Sequence, residues 1–430
     1  MWLRLAACAV FAIAPCLVAS AQSPGTSAGT LTLDDAFARV AHSHPDLRLV
    51  DRQRGLLSAE FDRASLRPAY VAGLAIENAL GSGNARGFDE AEISLTLASV
   101  LERGGKLEAR RTLAQARIDA LALQRETRRL DLLAEVARRY LAITAAQHQQ
   151  RIAVLDISQR QRTVAGARHR FTAGASPESV LLTAQAALAR AEMERDRAQQ
   201  RLVSARQHLA ALWGEREPAF QVVAGDPLAL PHIAEFSALA ELLEATPELA
   251  RFADEQRIAE ARLQLARSQG TPDMDWQVGV RRLQAAEDFA LIGSVSMPLG
   301  STRRNQPELR AADAELAMVG IQRESQGLAL YSTLSDAHGR YRVAQLEAER
   351  LQSDVLPKLG KAEAAAEHAY RAGAISYLEW AQLQSERTNA RKQQLDAALE
   401  AQRALIEIQR LTGQGFVADP ASTAPQGTTP

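Results

Sequence analysis

The chain has 430 residues, but only 5% are aromatic, and Ala, Leu, Arg, Gln and Glu fill long tracts. That mixture favours long helices and coiled coils over a compact mixed core. Lys and Arg number 50 against 51 Asp and Glu, so the basic surplus that a nucleic-acid partner needs is missing. No apolar run beyond the N-terminus reaches the ~20 residues of a membrane-spanning helix, which leaves a periplasmic protein, a secreted protein or an outer-membrane β-barrel open for an exported chain.

Residues 1–21, MWLRLAACAVFAIAPCLVASA, carry Arg4, an apolar run and then Ala19-Ser20-Ala21. This pattern predicts a secretory signal peptide cut after Ala21. An N-terminal membrane anchor is the other reading, but the run is short, holds Pro15 and gives way to Gln-Ser-Pro-Gly. Cys8 and Cys16 both lie in this segment, so the mature chain has no cysteine and meets no disulfide demand in an oxidising compartment. Leu5-Ala6-Ala7-Cys8 resembles a lipoprotein cleavage box, although Cys8 precedes most of the apolar run. Loss of Arg4 leaves 49 basic residues against 51 acidic ones, a formal charge of −2.

A first unit is expected over 22–214. A short helix opens it, roughly Leu33 to Leu66, and Pro68 marks a change. Strands are expected near 70–80 and 91–101, joined by the loop GSGNARGFD at 81–89. In EISLTLASVL, Ile93, Leu95 and Leu97 share one face and Glu92, Ser94 and Thr96 the other, the period of a strand. A helical hairpin follows over 106–212. From Lys106 to Arg168 there is no proline and one glycine, Gly166, and a helix over that span covers roughly 95 Å. Leu133, Val136, Tyr140 and Ile143 form a stripe at three- and four-residue steps, suited to packing on a neighbouring helix. The hairpin turns at Phe171-Thr172-Ala173-Gly174 and returns to Trp213-Gly214.

Residues 215–235 read as a linker. A second unit, 236–413, repeats the order: a helix from about Ser237 to Ser268, Pro272, strands near 273–282 and 289–299, and a helical hairpin over 302–411. In MDWQVGVR, Met274, Trp276, Val278 and Val280 alternate with Asp275, Gln277, Gly279 and Arg281, and LQAAED at 283–288 is the shorter loop. Leu330, Leu334, Ala337 and Tyr341 form the matching stripe. Pro357 lies inside the helical tract, where it removes a hydrogen bond and forces a break or bend. The turn is Tyr370-Arg371-Ala372-Gly373, and the helix ends at Thr412-Gly413. The tail, 414–430, is rich in Pro, Ser, Thr and Gly and is expected to be disordered.

The two units are copies. HRFTAGASPESVLLTAQ begins at His169 and HAYRAGAISYLEWAQLQ at His368, 199 residues later. At that offset Phe171 meets Tyr370, Gly174 meets Gly373 and Gln185 meets Gln384. AHSHPDL around Pro45 meets LEATPEL around Pro247. Aligned features recurring in one order identify a duplicated unit. Four strands are too few for a closed barrel, since the smallest membrane barrels have about eight. The long helices likewise lack a single-chain globular core. Both observations point to an oligomer whose strands close one barrel and whose helices close another.

This arrangement resembles the TolC family of outer-membrane efflux ducts, over about Leu31 to Gly413. The duplicated helix–hairpin–helical-pair unit, FTAG and YRAG at equivalent turns, and the Trp-Gly and Thr-Gly ends carry the resemblance. IENALGSGNARGFDEAEISLTLASVLERGGK (76–106) and RNQPELRAADAEL (304–316) resemble the cobalt–zinc–cadmium resistance branch. The resemblance implies a mainly α fold with a small β part and a homotrimeric duct in the outer membrane, reaching into the periplasm. Each protomer would give four strands to a twelve-stranded barrel and its helices to an α-barrel. The implied partners are outer-membrane lipid, a periplasmic adaptor (membrane fusion protein) and an inner-membrane pump of the resistance–nodulation–division (RND) type. No cofactor and no catalysis are implied. The substrate is expected to be a divalent heavy-metal cation, with drug or protein export by the same architecture as the alternative. A periplasmic coiled-coil adaptor is a further alternative, but it predicts one helical hairpin between β-rich halves and leaves the alternating strands unexplained.

Within that frame, Phe171, Gly174, Tyr370, Arg371 and Gly373 are candidate adaptor contacts at the far periplasmic tips. The plainer reading of the two glycines is left-handed geometry at a helix end. Glu379 is the candidate pore constriction, because an acidic residue at the matching place in the family belongs to a ring there; three symmetry-related carboxylates would concentrate cations. Gln382 departs from the pattern, which has a second acid, and Glu379 also reads as a solvated helix carboxylate. Metal ligands are not expected. His42 and His44 lie on different sides of a helix, His169 and His368 are repeat equivalents, and the three or four converging ligands of a zinc site are not visible.

Overall fold

A computed structural model describes residues 30–83, 86–223 and 225–416. The segment read as a signal peptide, both cysteines and most of the tail lie outside the described residues.

Strand β1 (Thr30–Leu31) leads into helix α1 (Leu33–Ser43), which starts at a capping box between Thr32 and Asp35. Helix α2 (Pro45–Ala64) follows with Pro45 in its first turn. The single opening helix expected from sequence is therefore two. The residue before a proline is pushed out of the helical region, and His44 is extended at φ −64°, ψ 128°. Strands β2 (Val71–Glu77) and β3 (Glu92–Leu101) come next. Helices α3 (Lys106–Asp119) and α4 (Leu121–Thr172) run almost continuously, and α5 (Glu178–Ala210) returns.

The expected linker holds a short strand, β4 (Gln221–Val222), paired in parallel with β1. The Tyr140 hydroxyl is within hydrogen-bond distance of the carbonyls of Leu31 and Val223, at 3.2 and 3.0 Å. The second unit opens with α6 (Phe236–Leu242) and α7 (Pro247–Gln269), again split before a proline, with Thr246 extended. Strands β5 (Met274–Leu283) and β6 (Asp288–Ser296) follow. Then come α8 (Ser301–Arg350), α9 (Leu356–Arg371) and α10 (Tyr377–Thr412). The Tyr341 hydroxyl donates to the Pro231 carbonyl, so both stripe tyrosines anchor an extended segment beside their helix.

The break expected at Pro357 is a single wide turn over Leu351–Val355, in which the Leu356 N–H bonds the Leu351 carbonyl five residues back. A wider turn accommodates the carbonyl that proline cannot satisfy. Side by side, the long helices lie in the order α5, α4, α10, α8. Each unit has its own core: Val40, Val136, Ile143 and Leu209 in the first, and Leu239, Leu334, Tyr341 and Ile408 in the second. Ile152 of α4 packs on Leu395 and Leu399 of α10 and joins the two.

Of the four longer strands, β3 and β5 carry the clean alternation, and β2 and β6 alternate less regularly. All four form one antiparallel sheet in the order β2-β3-β5-β6, so each unit gives a hairpin and the hairpins meet at β3 and β5. Gly279 permits the sheet to curl tightly beside Thr96: a Cβ there would lie 2.4 Å from the Leu95 carbonyl oxygen. β2 and β6 are the sheet's two open edges.

Candidate functional site

The register separates the sheet's two faces. Leu74 pairs with Leu95, Leu95 with Val280, and Val280 with Leu291. Ala72, Leu97, Val278 and Gly293 form the next row on the same face. This apolar face is open, with Leu291 88% exposed. Tyr70 and Trp276 stack edge-on with ring centroids 6.3 Å apart at the end nearer the helices. At the far end Arg282 lies 5.7 Å over the Phe289 ring.

The opposite face carries the charged and polar residues Glu77, Glu92, Ser94, Thr96, Gln277 and Arg281, with Val71, Leu283 and Ile292 among them. Glu77 and Glu92 are directly opposed, and two like charges so placed repel. Arg281 offsets this, with its guanidinium 2.6 Å from Glu92 and 3.3 Å from Glu77 and a further bond to the Ser94 hydroxyl at 2.9 Å. A sheet that is wet on one face and apolar and exposed on the other suits a wall between water and lipid.

The two hairpin tips share one geometry. The Gly174 N–H bonds the Phe171 carbonyl and the Ala175 N–H bonds that of Arg170, at 2.9 and 2.8 Å. Gly373 and Ala374 make the same pair to Tyr370 and Ala369, at 3.0 and 2.8 Å. With φ of +67° and +81°, both glycines occupy the left-handed position of a Schellman cap. Arg371 is exposed at the second tip and pairs with Glu367. Phe171 is 39% exposed.

Tyr370 differs from the expectation of an aromatic presented to a partner. It is 3% exposed, in a cluster with Ala167, Tyr377 and Trp380. Its ring centroid lies 5.0 Å from that of Trp380, beside Gly166. A Cβ at Gly166 would stand in ordinary contact with both rings, 3.7 Å from Tyr370 and 3.9 Å from Trp380, so the ring is held inward by the whole apolar cluster and not by one missing side chain. Arg170 lies 5.0 Å over the same ring and donates to the Tyr370 carbonyl at 2.8 Å, tying the first tip to the second. Sequence reasoning passed over Arg170 and Trp380. The repeat matches Arg170 with Ala369, so aligning like with like gives no signal there.

Glu379 is exposed and closes a capping box at the start of α10. It accepts from the Ser376 N–H at 2.8 Å and from its hydroxyl at 2.9 Å. The backbone bond first, and then the hydroxyl, hold its carboxyl below the usual glutamate value. Deeper in the hairpins a polar seam joins α10 to α4 and α9. Thr388 donates to Asp156 at 3.1 Å, Thr163 to Gln384 at 3.0 Å, and Arg387 to Glu363 at 2.6 Å. This seam is also absent from the sequence reading, because it needs the pairing of two helices about 200 residues apart. Among the described residues no cluster of three or more His, Cys, Asp or Glu is placed to hold a metal ion. No helix among them is long and apolar enough to cross a membrane.

Residues 52–215 match the family described as outer membrane efflux protein. The chain is 27% identical over 399 residues to the cobalt-zinc-cadmium resistance protein CzcC of Cupriavidus metallidurans, across 91% of this chain and 92% of that protein. It is 26% identical over 340 residues to the pyoverdine export outer membrane protein OpmQ of Pseudomonas putida, across 76% and 71% of the two chains. Among solved structures, a membrane protein from Pseudomonas aeruginosa superposes with a TM-score of 0.75 at 18% identity, covering 89% and 90% of the chains. CusC, solved in a study of folding and transmembrane channel formation, gives 0.73 at 20%, covering 89% and 92%. At such identities the solved structures speak for the fold alone.

Proposed function

Because the chain belongs to the outer membrane efflux protein family, the TolC-like channels of the outer membrane, we propose that it is the passive exit duct of a tripartite pump that expels divalent heavy-metal cations. The amphipathic four-stranded sheet carries this reading. Its apolar face is exposed, and both its edges are open strands, which attract further pairing. Three copies, with β6 of one beside β2 of the next, would close a twelve-stranded barrel with the apolar face to lipid and the Glu77–Arg281–Glu92 face to the lumen.

The helical layer supports the same closure. α5 and α8 lie at its two ends, and both carry exposed apolar residues: Leu182 and Met193 on α5, Met318, Ile321 and Leu328 on α8. Packing α5 of one copy on α8 of the next is a heterologous contact that closes into a ring. The tips then face a periplasmic adaptor through Phe171, Gly174, Arg371 and Gly373, and that adaptor joins the duct to an RND pump. Glu379 of three copies rings the lumen just inside the tips.

The likeness to CzcC favours metal cations, and that to OpmQ favours an organic substrate as the second reading. A deletion strain decides between them. Sensitivity to cobalt, zinc or cadmium, restored by the gene, is the expected result. Unchanged metal tolerance with sensitivity to organic compounds supports the second reading. Heat-modifiable trimers in outer-membrane fractions test the architecture, and recovery of the chain in soluble periplasmic extract overturns it.

A further inference from the structure

Arg281 and Arg282 are neighbours in β5 and point to opposite faces of the sheet. Arg281 has two carboxylates on the polar face. Arg282 lies on the apolar face, in the row Ile76, Ile93, Arg282, Phe289. It is exposed, and among the described residues no carboxylate lies within salt-bridge distance of it. A guanidinium is always charged. On a lipid-facing strand it costs about 2–4 kcal/mol at the bilayer midplane and little near an interface. Its row is the last on this face before the turn at 284–287, at the end of the sheet away from the long helices. Those helices reach into the periplasm, so this row sits at the outer leaflet.

β5 is an inner strand, flanked by β3 and β6. Pairing with another copy along β2 or β6 therefore leaves Arg282 uncovered. Its planar fork is stacked on Phe289, which holds the guanidinium against the sheet with its N–H groups free. Aromatic rings are enriched at that level of a membrane protein. An unpaired, oriented guanidinium at the headgroup level matches a phosphate, to which Arg donates in bidentate fashion.

Building on the channel reading, we propose that Arg282, with Phe289, Ile93 and Ile76 beneath it, binds the phosphate headgroup of an outer-leaflet lipid, with acyl chains lying along Leu74, Leu95, Val280 and Leu291. The acyl path is the open apolar surface of the same four strands. One such site per protomer fastens lipid to the barrel wall and seals the grease line around the outer rim.

Native mass spectrometry of the full-length channel, purified from outer membranes, delipidated and titrated with bisphosphorylated lipid A, tests this. Wild type is expected to retain the lipid as a discrete adduct and to give none with inorganic phosphate at the same concentration. Arg282→Gln is expected to bind about tenfold more weakly, the loss of one charge-assisted pair, and Arg282→Lys to keep part of the affinity. Equal adducts from Arg282→Gln that is still an inserted, heat-modifiable trimer overturn the assignment and leave the channel reading standing. Equal binding of dephosphorylated lipid A by wild type overturns it as well. A wild-type chain that does not insert in the outer membrane overturns both.

Discussion

Gly373 sits at φ +81° because two cap bonds at the tip demand a left-handed residue. An L side chain in that conformation costs roughly 1–2 kcal/mol. Gly373→Ala is therefore expected to speed amide exchange at the second tip by roughly tenfold, with α4 unaffected; equal exchange would mean that the tip relaxes without strain. Glu379 is a different case, because its cap bonds and its charge can be separated. Its folded pKa lies below the ordinary 4.5, so the stabilisation it gives the start of α10 is complete above that value and is lost as pH falls through the lower folded one. Amides near Ser376 should loosen only in acid below about pH 4.5. Glutamine also serves at this position of a capping box. Glu379→Gln thus keeps the helix start and removes the charge, and single-channel recordings are expected to show reduced cation preference. An unchanged permeability ratio would leave Glu379 a capping residue alone.

One difference between the helical elements of the two units is the wide turn before Pro357. The α4 tract has no proline and no such turn. A proline in a helix interior costs about 3 kcal/mol, so Pro357→Ala is expected to close the turn by giving residue 357 an N–H for the Ser353 carbonyl. Slower exchange over 351–358 and a higher unfolding temperature are the readouts. No change in either would assign the turn to the burial of Leu351 instead. The same elements show what the sequence holds. Strands β3 and β5 were legible because one face of each is apolar and the other largely polar, and α4 because nothing interrupts it. Pro45 and Pro247 were visible as repeat markers, yet each also splits a helix, a local steric effect that the repeat alignment hides. β1 and β4 are two residues each, too short for periodicity. Tyr370 illustrates the remaining limit. An aromatic before a turn reads the same whether it faces outward or inward, and what decides is its packing on Ala167 of α4, about 200 residues away in sequence, and on Trp380 of α10.

At the scale of the whole molecule, one protomer has two surfaces that water alone does not explain: the exposed apolar face of the sheet and the pair of open edges. A single substitution separates lipid contact from solvent exposure. Leu291 stands on the apolar face midway along the edge strand β6, paired with Val280 and 88% exposed. In water an arginine there is nearly neutral. Against lipid near the midplane it costs about 2–4 kcal/mol per copy, and the proposed trimer multiplies the effect. Leu291→Arg is therefore expected to lower the yield of inserted, heat-modifiable trimer several-fold. Ser294, three residues on and opposite Gln277, lies on the other face. Ser294→Arg places the same charge toward the lumen, where it is solvated, so insertion should be normal while single-channel conductance and cation preference fall. The pair of outcomes assigns the faces independently of any likeness to other proteins. If the arginine at 294 blocks insertion and that at 291 does not, the sheet is the other way out, and the polar face with its Glu77–Arg281–Glu92 group is then a contact surface and not a channel wall.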